Sequence, residues 1–378
     1  MSFLNNLILN LLKFQIMKKV IFLFTMVFAA TFAMSQNTAT TTQTGDDNSV
    51  LVEQVGSNTA TVTQTATLLV PAQAGNDAEV LQVNGDGNVS TVTQTGNTNT
   101  VWLNQGIKAG IWTGYNSNVA STNSTATIAQ SGVGNIENME QYGISNSAIL
   151  SQTNTTNARA DVYQGWAYSG WGETAITSAL SVTNSSVSVT QVNGASDYVG
   201  LWQYGGDNDH ITITQNNGDN NRAQVTQGFI YDDLNYNFSR PIYNVDDNNA
   251  TVTQNGSNNV GKLMQLGNGN AFTLTQNGNG NKVGDAPGGL EPARNGYFKQ
   301  DGDGNVLTGE QTDGAVLDAT SVQTGDDNFI DMEQGAGDIA KIMQVGNLND
   351  AYLTQMGGGQ DATILQTGVL NVATVSQQ

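Results

Sequence analysis

A glutamine returns about every eleven residues from Gln43 to Gln377, twenty-five times in all. Of the 24 intervals in this series, eleven are 11 residues long, six are 12 and two are 10. The other five are 18, 25, 27, 27 and 24. A fixed short period of this kind specifies a stack of equivalent units, each in contact with its neighbours, rather than a globular enzyme.

The interval carries more than glutamine. Asn270, Phe272, Leu274 and Gln276 lie two residues apart, as do Asn371, Ala373, Val375 and Gln377, and Asn349, Ala351, Leu353 and Gln355. Asn146, Ala148, Leu150 and Gln152 repeat the pattern. A period of two places these side chains on one face of a β-strand. Thr, Ser, Glu and Asp tend to fill the alternate positions, as at Thr59, Thr61 and Thr63, and read as the solvated face. Between each Gln and the next Asn come turn residues such as Thr44-Gly45-Asp46-Asp47 and Leu266-Gly267-Asn268-Gly269. Gly reaches positive φ without steric cost, and Asn or Asp tolerates it. The pattern predicts an all-β chain, a β-solenoid with about 22 residues per coil in two units of about 11. Equivalent strands would then stack at roughly 4.7–4.9 Å.

An inward amide is costly unless hydrogen-bonded. In a stack each amide can donate to the copy on one side and accept from the copy on the other, as in cross-β assemblies. The members of this expected ladder are Gln43, Asn48 and Gln54; Gln141, Asn146 and Gln152; Gln265, Asn270 and Gln276; and Gln323, Asn328 and Gln334. Gln344, Asn349, Gln355, Gln366, Asn371 and Gln377 complete it.

Aromatic residues make up 7% of the chain and charged residues 12%, with 43 Gly, 4 Pro and no Cys. A narrow core of small and medium side chains suits this composition, and a disulfide framework is excluded. The net charge is −20 and disfavours nucleic acid and anionic membranes as partners. Met17-Lys18-Lys19, an apolar stretch from Val20 to Phe28 and Ala33-Met34-Ser35 read as a secretory signal over residues 17–35, with residues 1–16 an upstream extension. Nothing later in the chain is hydrophobic enough to span a bilayer. Residues 36–378 read as the repeat solenoid, with insertions near 65–81, 106–127, 165–186, 228–247 and 284–298.

Catalytic chemistry has little to build on. His210 is the single histidine, and Asp46, Asp47, Asp326 and Asp327 fall in turns. Asp301-Gly302-Asp303-Gly304-Asn305 opens like a calcium loop, but Val306 and Thr312 stand where that loop needs Gly and Glu. No cofactor, metal or catalytic residue is expected.

The unit Gln-x-Gly-x-x-Asn-x-Ala-x-Val-x-Gln resembles the repeat of the curlin family, the subunits of curli fibres. It is carried here by Gln43, Gly45, Asn48 and Gln54, by Gln141, Gly143, Asn146 and Gln152, and by Gln366, Gly368, Asn371 and Gln377. The resemblance implies a secreted structural subunit that polymerises as a functional amyloid on the cell surface, for adhesion and biofilm matrix. It also implies a second curlin-like subunit and an outer-membrane secretion channel as partners. Gln311 to Gln323 departs from the unit, with Leu317 where Asn is expected. Neither end of the repeat series carries a capping segment, so both are expected to dock further subunits. The alternative is a monomeric ligand- or ice-binding solenoid that uses the outward Thr-x-Thr pairs. Ser151, Glu140, Glu333 and Trp102 interrupt that array.

Overall fold

The computed structural model describes residues 37–66, 75–83, 85–106, 120–165, 182–228, 245–284, 298–317 and 321–378. These are built from strands paired in parallel with their counterparts one coil away. The expected leader segments and most of the expected insertions lie outside the described residues. Sheet I runs from Thr38–Thr44 to Val372–Gln377 and has thirteen strands. Sheet II begins at Ser49–Gln54 and includes Asp361–Thr367. A small third sheet joins Ser121–Thr122, Gly143–Ile144, Val182–Thr183 and Gly206–Asp207 along one turn.

Register is what makes the stack. Gln43 lies beside Gln64, Gln64 beside Gln94, and so on to Gln355 beside Gln377, all in sheet I. Gln54, Gln82 and Gln105 begin the equivalent column in sheet II. Successive glutamines alternate strictly between the two sheets, across long and short intervals alike. Gln152 pairs directly with Gln191, and Gln164 with Gln203. The segment Ala175–Leu180, whose alternating pattern would suit a strand without its Gln, lies outside the described residues.

The long intervals depart from the coil at different points. Three of them leave sheet II through a Gln-Gly pair, Gln105-Gly106, Gln164-Gly165 and Gln227-Gly228. Each glycine N–H still bonds the next rung, and each glycine has a positive φ, of 88°, 79° and 88°. The interval from Gln276 to Gln300 behaves otherwise, because it opens inside a strand. Lys282–Val283 continues the rung below, and Phe298–Asp301 resumes the same rung in register. A shorter break splits the next rung between Val316–Leu317 and Val322–Thr324. This corrects the reading of Leu317. It pairs with Val283 and Ala340 as a fully buried core residue, and Ala315 takes the Asn position, its N–H bonding Asn281 Oδ1 at 3.0 Å.

Inward positions two and four residues before each Gln form the apolar core. Val62, Ile128, Leu150, Ile213 and Leu353 line sheet I; Val80, Leu103, Val162, Leu201 and Ile342 line sheet II. Burial of each larger side chain contributes about 1.5–3 kcal/mol. Phe272 and Phe298 meet at 5.9 Å where their rungs carry aromatic rather than aliphatic side chains. The outward faces differ from one another. All six Lys and Arg among the described residues sit on sheet II: Arg159, Arg222, Lys262, Lys282, Lys299 and Lys341. Sheet I carries Thr and Ser over most of its outer face.

Turn glycines set how closely coils approach. Gly346 has φ 115°, and a Cβ there would collide with the carbonyl oxygen of Gly368 in the next coil. Gly346→Ala should therefore lower the unfolding midpoint by more than the ~1–3 kcal/mol of backbone strain alone. Asn347→Ala, one residue on, should cost less; equal losses in denaturant titrations would show that the glycine is not required by coil spacing.

Candidate functional site

The most organised chemistry in the molecule is its two columns of glutamine amides. In sheet I, Gln43 Nε2 donates to Gln64 Oε1 at 2.9 Å, and Gln64 donates in turn to Gln94 at 2.8 Å. The series continues through Gln152, Gln276 and Gln334 and ends with Gln355 donating to Gln377 at 2.9 Å. In sheet II it runs from Gln54 to Gln82 at 2.6 Å, through Gln141, Gln265 and Gln323, and to Gln344 donating to Gln366 at 2.9 Å. Every link points the same way along the stack.

The second N–H of most of these amides explains that common direction. Gln344 Nε2 also donates to the carbonyls of Asn349 at 2.8 Å and Phe329 at 2.9 Å, which belong to the opposite sheet. Gln265, Gln300 and Gln323 reach the carbonyl five residues on in the same manner. A backbone oxygen accepts and never donates, so the amide nitrogen must face it and the ring of partners fixes which end is Oε1. Glutamines such as Gln265, Gln300, Gln323 and Gln344 thus join two coils along the stack and two sheets across it.

The asparagines work differently. Each Oδ1 accepts the backbone N–H of the next coil, as Asn349 Oδ1 does from Asn371 at 3.1 Å and Asn270 Oδ1 from Asn305 at 2.9 Å. The Nδ2 atoms close the turns: Asn146 Nδ2 donates to Tyr142 O at 3.2 Å and Val182 O at 2.9 Å, and Asn48 Nδ2 to Thr44 O at 3.0 Å. Side-chain amide pairs are confined to some neighbours, such as Asn371 with Asn349 at 2.8 Å and Asn349 with Asn328 at 2.9 Å. The sequence reading treated Gln and Asn as one kind of ladder; the Asn column is chiefly a tether of turns to backbone.

A third column escaped notice in the sequence. Turn backbone N–H groups donate to Asp or Asn side chains of the following coil. Asn268 N bonds Asp303 Oδ1 at 2.7 Å, Asp303 N bonds Asp326 Oδ1 at 3.0 Å, and Asp326 N bonds Asn347 Oδ1 at 3.0 Å. Asp326 is therefore more than a solvated turn residue. The calcium-like stretch is divided among separate tasks: Asp301 pairs with Lys299 at 2.7 Å, Asp303 stands in the turn column, and Asn305 in the Asn column. His210 faces outward with its Nδ1 2.7 Å from Ser186 Oγ.

The repeat is violated most sharply at Glu137. It fills an inward core position flanked along the stack by Val101 and Ala160, is wholly buried, and has no partner for either carboxyl oxygen. Burial holds its pKa well above the usual carboxylate range, since desolvation penalises the charged form. Glu140, on the same strand, is also raised by burial, partly offset by the Tyr142 hydroxyl at 2.8 Å.

Two mutational outcomes follow. Gln276→Ala strips the donor to Gln311 and the acceptor for Gln254, and should cost about 1–3 kcal/mol per orphaned group. Thr275→Ala, on the outward face beside it, should cost within ~0.5 kcal/mol. Equal losses by urea titration would overturn the assignment of faces. Glu137→Leu removes two unmet buried oxygens and should raise the urea midpoint at pH 7; a lowered midpoint would show that the carboxyl has a structural partner.

The comparison with known families agrees with this geometry. The curlin associated repeat matches at residues 35–65 and 246–278, which include the ladder members Gln43, Gln54, Gln64, Gln254, Gln265 and Gln276. No curated protein sequence matches the chain. Two stretches of the chain thus match the curlin associated repeat, and the same unit is stacked in register between and beyond them in a β-solenoid fold.

Proposed function

We propose that the chain is a secreted structural subunit of a curli-like fibre, which it builds by laying the edge strands of one copy on those of the next. The supporting observation is the state of the end rungs among the described residues. Ala39, Thr41 and Gln43, inward by register, are exposed, and Ala373 and Val375 are only partly covered. Backbone donors and acceptors, amide columns and apolar core all stop together at these edges, and a further copy would continue all three. The fibre would serve adhesion and matrix formation, with export through an outer-membrane channel and a second curlin-like subunit as partners. No catalytic role is assigned to any residue.

Ice or another ordered surface on the Thr face is the second reading. Two of the residues that interrupted the Thr array in sequence, Glu140 and Trp102, lie on sheet II and not on the Thr face. On sheet I, however, Ala129, Ile149, Glu310, Asp331 and Glu333 still break the columns. The exposed edges favour the fibre.

Gly368 offers a selective test. Where Gly346 meets the next coil, a Cβ on Gly368 meets only Asn371 Nδ2, at 3.4 Å. Gly368→Ala should change the melting of the soluble chain only by backbone strain, while slowing seeded elongation at least tenfold because the new methyl meets the incoming copy. Persistent monomers of the unaltered chain after long incubation at high concentration, or undiminished elongation by the variant, would count against edge stacking.

A further inference from the structure

Two carboxylic acids occupy Asn positions with one oxygen each left over. Asp197 precedes Tyr198–Gln203 in sheet II, and Asp209 precedes His210–Asn216 in sheet I, so they are consecutive positions of one coil. Both are buried, at 1% and 0% exposure. Their Oδ1 atoms serve the next coil as an Asn would: Asp197 accepts from Asn221 N at 2.8 Å and Nδ2 at 3.2 Å, and Asp209 from Asn248 N at 2.9 Å and Nδ2 at 3.2 Å. Their Oδ2 atoms have no partner.

Those Oδ2 atoms take the place of an Asn Nδ2, which donates to turn carbonyls, as Asn146 does to Tyr142 and Val182. A carboxylate has no hydrogen to offer there. Asp197 Oδ2 and Gly218 O crowd the same point beside Gly194, and Asp209 Oδ2 and Val245 O the same point beside Gly206. One proton on each Oδ2 makes an O–H donor and restores the pattern of the Asn column. A metal ion is not the natural occupant, since no group of three acidic or imidazole side chains among the described residues could hold one. Asp338 supplies an internal contrast. It also stands in an Asn position, but its Oδ2 accepts the Gly335 N–H at 2.9 Å and its Oδ1 the Gln360 N–H at 2.9 Å.

We propose that Asp197 and Asp209 make their coil a proton-operated joint in the middle of the solenoid, closed when both carboxyls are protonated and loosened when they ionise. The charged surroundings reinforce this. Asp219 faces Asp197, and Asp246 and Asp247 face Asp209. Arg159 and Arg222, on the rungs either side of Asp197, point outward, engaged with Asp161 and the Tyr198 ring. His210 turns out to Ser186, and Asp207 lies in the exposed turn.

Burial pushes Asp197 up to about 6 and Asp209 up to about 7, against the lowering effect of their Asn221 and Asn248 hydrogen bonds. Both folded values lie above the ~3.9 of an unfolded Asp. The fold therefore binds these protons more tightly than the unfolded chain does. The stabilisation is complete below about pH 4 and is lost as pH rises through 6 and then 7.

The joint is internal to one subunit and does not depend on fibre formation. Hydrogen exchange on the soluble full chain reads it locally, at the Asn221 and Asn248 amides, after correction for intrinsic rates. Protection there should fall at least tenfold between pH 5 and pH 8, while the Asn349 and Asn371 amides change much less. Asp197→Asn with Asp209→Asn places the usual residue in each position and should abolish the pH response; Asp338→Asn should leave it intact. A response that survives the double substitution, or is missing from the unaltered chain, would overturn the proposal.

Discussion

A primary amide with two donors and a carbonyl is the element on which the rest depends. It is the one neutral side chain that can pass a hydrogen bond along a stack while spending its second N–H at right angles to it. Gln344 does both, with Gln366 above and Asn349 and Phe329 across the core. A hydroxyl could continue the column but would have no second hydrogen for the facing backbone. A carboxylate would repel its own neighbours. The glutamine spacing sets strand length, the strand length sets the width of the core, and the width admits the single layer of Ala, Val, Ile and Leu that fills it.

The architecture was legible because that requirement is periodic. Strand positions, the inward and outward faces and the two-unit coil can all be read from Gln, Asn and the alternate apolar residues. What the spacing could not reveal was the identity of partners at each Asn. Asn146 and Gln152 look alike in sequence as inward amides, yet one lies in a turn and reaches backbone, and the other lies in a strand and reaches its own copy. The difference comes from side-chain length: Oδ1 is one methylene closer to the main chain than Oε1 and meets the neighbouring N–H first.

Insertions defeated the reading for a related reason. Counting back from Gln323 placed Leu317 in the Asn position, but the strand is interrupted, and the count fails across any break inside it. Glu137, by contrast, was legible: it lies four residues before Gln141 in an unbroken interval, an inward position, although a lone acid among alternating residues reads at first as surface. The Gln-Gly pairs that end three strands of sheet II before the longest intervals were a usable signal. They replace the usual Gln-x-Gly and move the residue of positive φ one step earlier.

Because the units alternate without exception, the cations among the described residues are sorted by parity. Every Lys and Arg among the described residues falls on sheet II, and the outer face of sheet I carries acids at Glu310, Asp331, Glu333 and Asp350 with none to balance them. The solenoid is therefore polarised across its thickness as well as strongly acidic. In a field gradient it acts as a two-sided plate: near an anionic surface, within a Debye length of about 8–10 Å, it experiences a torque that turns sheet II, whose cations offset acids such as Glu53, Glu79 and Asp361, toward that surface and leaves the more acidic hydroxyl face of sheet I to the solvent.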